Sequence, residues 1–367
     1  MRYRDENLEP TPPRVLLGGV VAIAFGALLT WQAFMPTTYL YQQPGPALSV
    51  AEIDGEQVIH LTNTDAPTYL SDTDLHLTTV STFGNPDASV RGAAAVEAYL
   101  DNDKDLVPIR TLYTADDTND EVRAASAAMM AESQVNAVLA GYGLAGIDVP
   151  TTTRVAGFTE GSGAEGKLRV DDVLLSLQAP GEDSFSPVNF TQLREYLATI
   201  DPGTELAITV ERNGTEHVET VVTSDPGEGG EGSLIGVYIT TEVQEGAPGA
   251  DIALENIGGP SAGQMFALEI YDQLTEGSVG GDNIIAGTGT VDETGDIGPI
   301  GGIEHKLKGA RAAGATYFLA PVENCDEVIG HEVDGLQVIA VDNLEDSLAA
   351  LEAIKTGDTA DLPTCTP

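Results

Sequence analysis

The spacing of apolar positions divides the 367-residue chain into stretches of different period. Residues 15–35 (VLLGGVVAIAFGALLTWQAFM) are 21 positions without a charge. As a helix rising about 1.5 Å per residue they span about 30 Å, one hydrocarbon core. Residues 39–80 alternate apolar and polar positions between Pro and Gly (PGPALSV, EQVIHLTN, LHLTTV), which predicts short antiparallel strands. Residues 120–140 are Ala-rich with helical spacing and an acidic start, which predicts a helix. Beyond 140 the pattern predicts a strand from Thr153, a Gly-Ser-Gly turn, a second strand ending at Leu177, a helix over 189–199 and a strand over 205–212. Residues 229–357 alternate strands (234–241, 283–287, 316–320, 337–341) with helices (261–274, 303–313, 344–354), the order of an α/β or α+β domain.

Charge places the ends of that first stretch. Arg2, Arg4 and Arg14 precede it and Trp31 sits near its far end, where an aromatic belt belongs. By the positive-inside rule, residues 1–14 are a cytoplasmic tail, 15–35 a single plasma-membrane span and the remainder extracytoplasmic. A cleaved signal peptide is the other reading. The length of the run and the lack of a clear small-x-small site after it favour a retained anchor. Overall, 58 Asp and Glu against 16 Lys and Arg leave a net charge of −42, which excludes a nucleic-acid partner. With 42% hydrophobic residues the acidity belongs to folded domains and not to a disordered chain. Five His and two Cys, all scattered, form no metal-ligand spacing, so neither a metal nor a cofactor is expected. Outside the membrane an oxidising environment allows Cys325 and Cys365 to bridge, pinning residues 358–367 to the last domain; two separate thiols are the alternative.

Residues 153–177 (TRVAGFTEGSGAEGKLRVDDVLLSL), with the helix and strand after them, resemble a bacterial PDZ domain, here assigned to 131–228. Lys167 and Asp171 stand where that family has Gly. The resemblance implies a groove that takes an extended peptide as an added strand and holds its carboxylate. Gly143, Leu144, Ala145 and Gly146 form a candidate carboxylate loop, or an ordinary connection. Gly161 to Lys167 fits a phosphate-binding loop except that Leu168 stands where Ser or Thr must ligate Mg²⁺, so no nucleotide is expected.

Two spots in the last domain carry chemistry. In Gly258-Gly259-Pro260-Ser261-Ala262-Gly263, glycines precede a helix whose free N–H groups offer an oxyanion site beside a serine hydroxyl. Taken alone, Ser261 reads as a helix cap. In Gly301-Gly302-Ile303-Glu304-His305-Lys306, a helical wheel gathers Ile303, Leu307, Ala310, Ala313 and Gly314 within about 100° of Lys306, with Lys308 on the opposite side. A lysine facing the apolar side loses its proton near neutral pH and then serves as a general base for a serine; a snorkelling lysine is the alternative.

GGPSAG, followed by AGTGTVDETGDIGPIGGIEHKLKGARAAGATYFLAPVENC, resembles the peptidase domain of Lon-type proteases across 229–357. The resemblance implies Ser261 as nucleophile, Lys306 as base 45 residues later, and Thr288 orienting the amine, with Gly259 and Ala262 supporting the serine turn. Gly258 departs from that family, which carries Asp there, and no ATPase module accompanies the domain. End to end the chain resembles membrane-anchored PDZ–Lon-peptidase proteins of Gram-positive bacteria, including actinobacteria. The expected architecture is therefore multidomain: a transmembrane helix, a β-rich membrane-proximal region (36–130) of unassigned role, a PDZ-like α+β domain and a Lon-type α+β peptidase domain. The expected activity is ATP-independent endopeptidase cleavage of extracytoplasmic proteins or peptides recruited by the PDZ domain. A hexamer is the family expectation for its assembly. The rival reading is a membrane-tethered peptide-binding adaptor with an inactive peptidase fold.

Overall fold

The computed structural model describes residues 13–70, 72–159, 161–187, 190–227, 232–254 and 257–365. Arg2 and Arg4 of the expected tail, and Asn189 at the start of an expected helix, lie outside the described residues. In chain order the elements begin with α1 (Pro13–Phe34), β1 (Tyr39–Ser49), the short pair β2 (Glu52–Ile53) and β3 (Glu56–Gln57), β4 (Ile59–Thr62) and β5 (Asp74–Phe83). They continue with α2 (Gly92–Leu100), β6 (Asp105–Pro108), α3 (Ile109–Leu112), α4 (Asn119–Leu144), β7 (Thr151–Phe158), β8 (Val173–Gln178) and α5 (Phe190–Ala198). Next come β9 (Glu205–Arg212), β10 (Thr215–Val222), β11 (Val237–Val243), β12 (Gly249–Ile252), α6 (Gly263–Leu274), β13 (Ile284–Gly287), β14 (Thr290–Val291) and β15 (Ile297–Gly298). The last are α7 (Ile303–Ala312), β16 (Tyr317–Pro321), α8 (Cys325–Val328), β17 (Gln337–Val341) and α9 (Leu344–Thr356).

The chain forms two compact units, one from described residues of 1–45 and 80–124, the other from those of 46–79 and 125–367. The region expected as one membrane-proximal block, 36–130, is thus divided between them. In the first unit α1 is long and apolar enough to cross a membrane, a test that a signal sequence also passes. Its last turn meets the start of α2. The Gly92 N–H donates to the Met35 carbonyl at 3.0 Å, and a Cβ on Gly92 would come within 2.3 Å of the Gln32 carbonyl oxygen. In the same unit β1 pairs antiparallel with β6, Tyr39 opposite Pro108.

In the second unit β5 corrects the expectation of antiparallel strands over 39–80. It pairs in parallel with β13, which pairs in parallel with β16, and β16 with β17. Four successive β5 residues, Leu75 to Thr78, are buried, the mark of a strand covered on both faces, and a reading that looked for one wet face missed it. β4 pairs antiparallel with β12. Leu75, Leu77, Val58 and Ile59 share one core with Ala137 and Tyr142 of α4, Phe266 and Ile270 of α6, and Leu351 of α9.

Between α4 and β12 the chain leaves that core and builds a five-stranded antiparallel sheet, order β10-β9-β8-β7-β11. Its own core gathers Leu177, Leu206, Ile208 and Val210 under α5. Asp171 sits at φ +71, so it adopts the left-handed turn for which glycine is the usual residue. Asp172, 1% exposed, receives two hydrogen bonds from Arg212, Nε to Oδ1 at 2.7 Å and Nη2 to Oδ2 at 2.6 Å. This sheet is therefore an insertion: residues before it (46–79 and α4) and after it (β12 onward) close around a single hydrophobic interior.

Candidate active site

The serine turn is built by elements far apart in sequence. Gly259 sits at φ +83, and its N–H donates to the Ser126 carbonyl of α4 at 3.1 Å. Because that N–H is engaged, Gly259 shapes the turn and is not a donor to a ligand. Two turns further along α4, Ser133 Oγ donates to the Pro260 carbonyl at 2.9 Å. Gly258 is pressed on the same helix, where a Cβ would approach Ser126 Oγ to 2.2 Å. A side chain at 258 would require the Ser126 hydroxyl to turn away. Ser261 then stands just before α6. The N–H groups of Ser261 and Ala262 donate to no acceptor among the described residues, leaving two donors at a helix start.

Ser261 is tied on its other side to the loop after β13. Its carbonyl accepts the Gly289 N–H at 2.9 Å and the Thr288 hydroxyl at 3.0 Å. Gly289 has no room for a side chain, since a Cβ would lie 2.8 Å from Gln264 Oε1 and from Ile297 Cγ2.

The lysine arrives from α7. Gly302, at φ +67, turns the chain into this helix. The loop ahead of it is clamped by the buried Asn324, whose Oδ1 accepts the Ile300 N–H at 2.9 Å while its Nδ2 donates to the Ile300 carbonyl at 2.8 Å. Lys306 is 3% exposed, and its Nζ lies 2.9 Å from Ser261 Oγ and 2.8 Å from Thr288 Oγ1. Lys308 is half-buried, with less exposure than the wheel implied. Burial alone pushes the Lys306 ammonium down to about 7. A hydroxyl has one proton, and that of Thr288 goes to the Ser261 carbonyl. Thr288 Oγ1 therefore accepts from Lys306, whose Nζ also donates to Ser261 Oγ.

A cavity of about 620 Å³ adjoins Pro260, lying between α4 and the β14–β15 hairpin. Glu132, Asp292, Asp296, Glu323 and Asp342 line it, and no Lys or Arg does. Ser126, Ser133 and Asn324 carried no signal in the sequence, because each acts through a contact between segments distant along the chain.

Other expected residues fall elsewhere. Gly143 and Leu144 are the last turn of α4, and Gly146 (φ +73) ends it with its N–H on the Gly143 carbonyl at 2.9 Å. The Ala145 N–H likewise donates to the Gly141 carbonyl. A helix C-terminus offers carbonyls and a negative dipole end, so 143–146 has the wrong polarity for a carboxylate. The free edges of the inserted sheet are β10 and β11. The segment resembling a phosphate loop runs into β8 and not into a helix, with Leu168 buried in the sheet's core. Cys325 and Cys365 form a disulfide, Cα to Cα 4.9 Å, and the tail leading to it is held by the Ala340 N–H on the Pro363 carbonyl at 2.9 Å.

Residues 248–353 match the family of the Lon protease (S16) C-terminal proteolytic domain. Lon protease 2 of Bacillus subtilis is 36% identical over 92 residues, covering 25% of this chain and 16% of that protein. Lon protease of Campylobacter concisus is 38% identical over 94 residues, 24% of this chain and 11% of its own length. That of Vibrio parahaemolyticus is 33% identical over 123 residues, 32% and 15% respectively. The chain thus spans a sixth or less of the length of these relatives. Among solved structures, the PDZ domain of an SdrC-like protein from Listeria monocytogenes aligns at a TM-score of 0.21 and 13% identity, over 24% of this chain and 85% of that one.

Proposed function

We propose that the chain is a serine endopeptidase that works without ATP, with Ser261 as nucleophile and Lys306 as general base. The observation that carries this reading is the buried amine 2.9 Å from Ser261 Oγ, held near a pKa of about 7. An amine that is largely neutral at working pH accepts the Ser261 proton as Oγ attacks the scissile carbonyl. The carbonyl oxygen takes up negative charge against the N–H groups of Ser261 and Ala262. Lys306, now an ammonium, returns the proton to the leaving amine, and an acyl-enzyme remains. Water, deprotonated in turn by Lys306, adds to the acyl carbon and releases the carboxylate product with Ser261 restored. In this reading unfolded segments, loops and tails are the substrates within reach.

The carboxylates beside Pro260 suit a substrate segment that carries Lys or Arg. The inserted sheet supports peptide recruitment along the edge of β11, which leads through β12 to the serine turn. In this reading α1 anchors the protein in the plasma membrane with the catalytic portion outside.

The test incubates the full chain in detergent with a permanently unfolded protein and no ATP, beside Ser261→Ala and Lys306→Ala forms. Cleavage by the native chain only is the expected result. Equal cleavage by the Ser261→Ala form would end the assignment, and cleavage by none would favour a peptide-binding adaptor.

A further inference from the structure

The first unit carries a surface unlike the rest of this acidic chain. On α2 the outward residues are Ala93, Val96, Glu97, Tyr99 and Leu100, with Val96, Tyr99 and Leu100 60%, 78% and 74% exposed. The helix holds one charge, Glu97, and it is met by Lys104, whose Nζ lies 2.7 Å from Glu97 Oε1 and 5.3 Å from the centre of the Tyr41 ring. A chain with 58 acidic residues thus presents here four uncharged exposed side chains on one short helix, and the one charge within that helix is paired. Solvent gives no reason to keep such a face bare.

Its position supplies one. α2 starts where α1 ends: Pro36 bridges to Arg91, and the Gly92 backbone is packed on Gln32 and Met35. α1 exposes Leu29 (54%), Trp31 (62%) and Phe34 (62%), and of these Leu29 lies beside the α2 residues Val96 and Tyr99. An apolar cavity of about 890 Å³ joins the two, with Leu29, Ala33, Tyr39, Val96, Tyr99 and Leu106 among its walls. Aromatic residues at the end of a membrane-crossing helix belong to the level of the lipid headgroups.

We propose that α2 is an interfacial foot, its Val96–Tyr99–Leu100 face lying in the headgroup–acyl boundary of the bilayer that α1 crosses. This rests on the reading of α1 as a retained anchor. Lipid is the occupant because Val96 and Tyr99 share a largely apolar cavity with Leu29 and Ala33 of α1, the helix that crosses the bilayer in this reading. The attachment is apolar and not electrostatic, since a net charge of −42 is repelled by anionic headgroups. The first unit is thereby held at two points and cannot swivel freely on a single helix.

The test uses the full chain reconstituted in phosphatidylcholine vesicles, with and without phosphatidylglycerol, containing a lipid spin-labelled near the headgroup end of its acyl chain. Trp31, the one tryptophan, reports α1 by its own fluorescence, and an environment-sensitive dye on Tyr99→Cys or, separately, Leu100→Cys reports α2. The same dye on Val218→Cys, an exposed position of β10, is the control. The expected result is at least twofold quenching of Trp31 and of the dye at 99 and 100, none at 218, unchanged in 1 M salt. Quenching of Trp31 without quenching at 99 or 100 would overturn the foot and leave the anchor standing. Quenching at neither would overturn both. A dye shielded from water but unquenched by lipid, with 99-to-99 crosslinking between chains, would replace the bilayer by a second copy and end the proposal.

Discussion

Lys306 shows how one residue's burial sets both chemistry and stability. Its amine titrates near 7 in the fold against 10.5 when exposed, so activity is expected to rise about tenfold per pH unit below 7 and level off above it. A profile flat from pH 5.5 to 8.5 would contradict the role of Lys306 as base. Between 7 and 10.5 the unfolded chain binds a proton that the folded chain does not, so this lysine's contribution to stability rises with pH and is least favourable below 7. Lys306→Met is therefore expected to be inactive yet to melt higher, by roughly 2–4 °C for each 1 kcal/mol recovered, with the gain largest below about pH 7. Glu269, pushed up to about 7 by burial within α6, works in the opposite sense, losing stability as pH rises through its range. The Met variant isolates the lysine's part. In the proposed mechanism Thr288 acts through Lys306, so Thr288→Val is expected to lower kcat roughly tenfold, the worth of about one hydrogen bond, with KM little changed. A rise in KM with kcat intact would assign Thr288 to substrate binding.

Among the elements, α4 has a role its composition does not announce. The spacing of its small residues was readable as a helix, but its contacts with Gly259 and Pro260 through Ser126 and Ser133 required the fold. Serines in an Ala-rich helix carry no sign of what they touch 130 residues later. The lysine's inward direction, by contrast, was legible, because helical periodicity fixes which face Ile303, Leu307 and Ala310 share. In the inserted sheet the Asp172–Arg212 pair ties β9 to the turn before β8. Arg212→Ala would strand a buried carboxylate, and a loss of about 3–5 kcal/mol is expected in a denaturant melt read by a probe on that sheet. A loss under 1 kcal/mol would mean that water reaches Asp172.

For the whole molecule, the unit that carries Ser261 and Lys306 is interrupted. Its core takes Leu75 and Leu77 from β5, Tyr142 from α4 and Phe266 from α6, with the inserted sheet, β12 and their linkers between the last two. The Cys325–Cys365 bridge closes the far end of the same unit. A loop of 40 residues is worth about 2–4 kcal/mol to the folded state, so Cys365→Ser, or reduction of the native chain, is expected to lower Tm by several degrees. An unchanged Tm would show that packing of the tail on β17 suffices without the bridge.

By itself the sequence determined what depends on neighbours along the chain: the apolar run of α1, the periods of α6, α7 and α9, the inward turn of Lys306, and the glycines around Ser261. It also carried the family resemblance of the last domain, since that rests on motifs in order. Only the tertiary structure decided what depends on segments meeting. It put β5 in a parallel sheet with β13, against an alternation that suggested antiparallel pairing. It turned Gly143–Gly146 into a helix end and not a carboxylate loop. It set Gly258 beside the Ser126 side chain of α4, and it brought Lys306, Thr288 and Ser261 within 3 Å of one another in succession. A periodic pattern records which side of an element is apolar, whereas the identity of the partner on that side is a property of the packed chain.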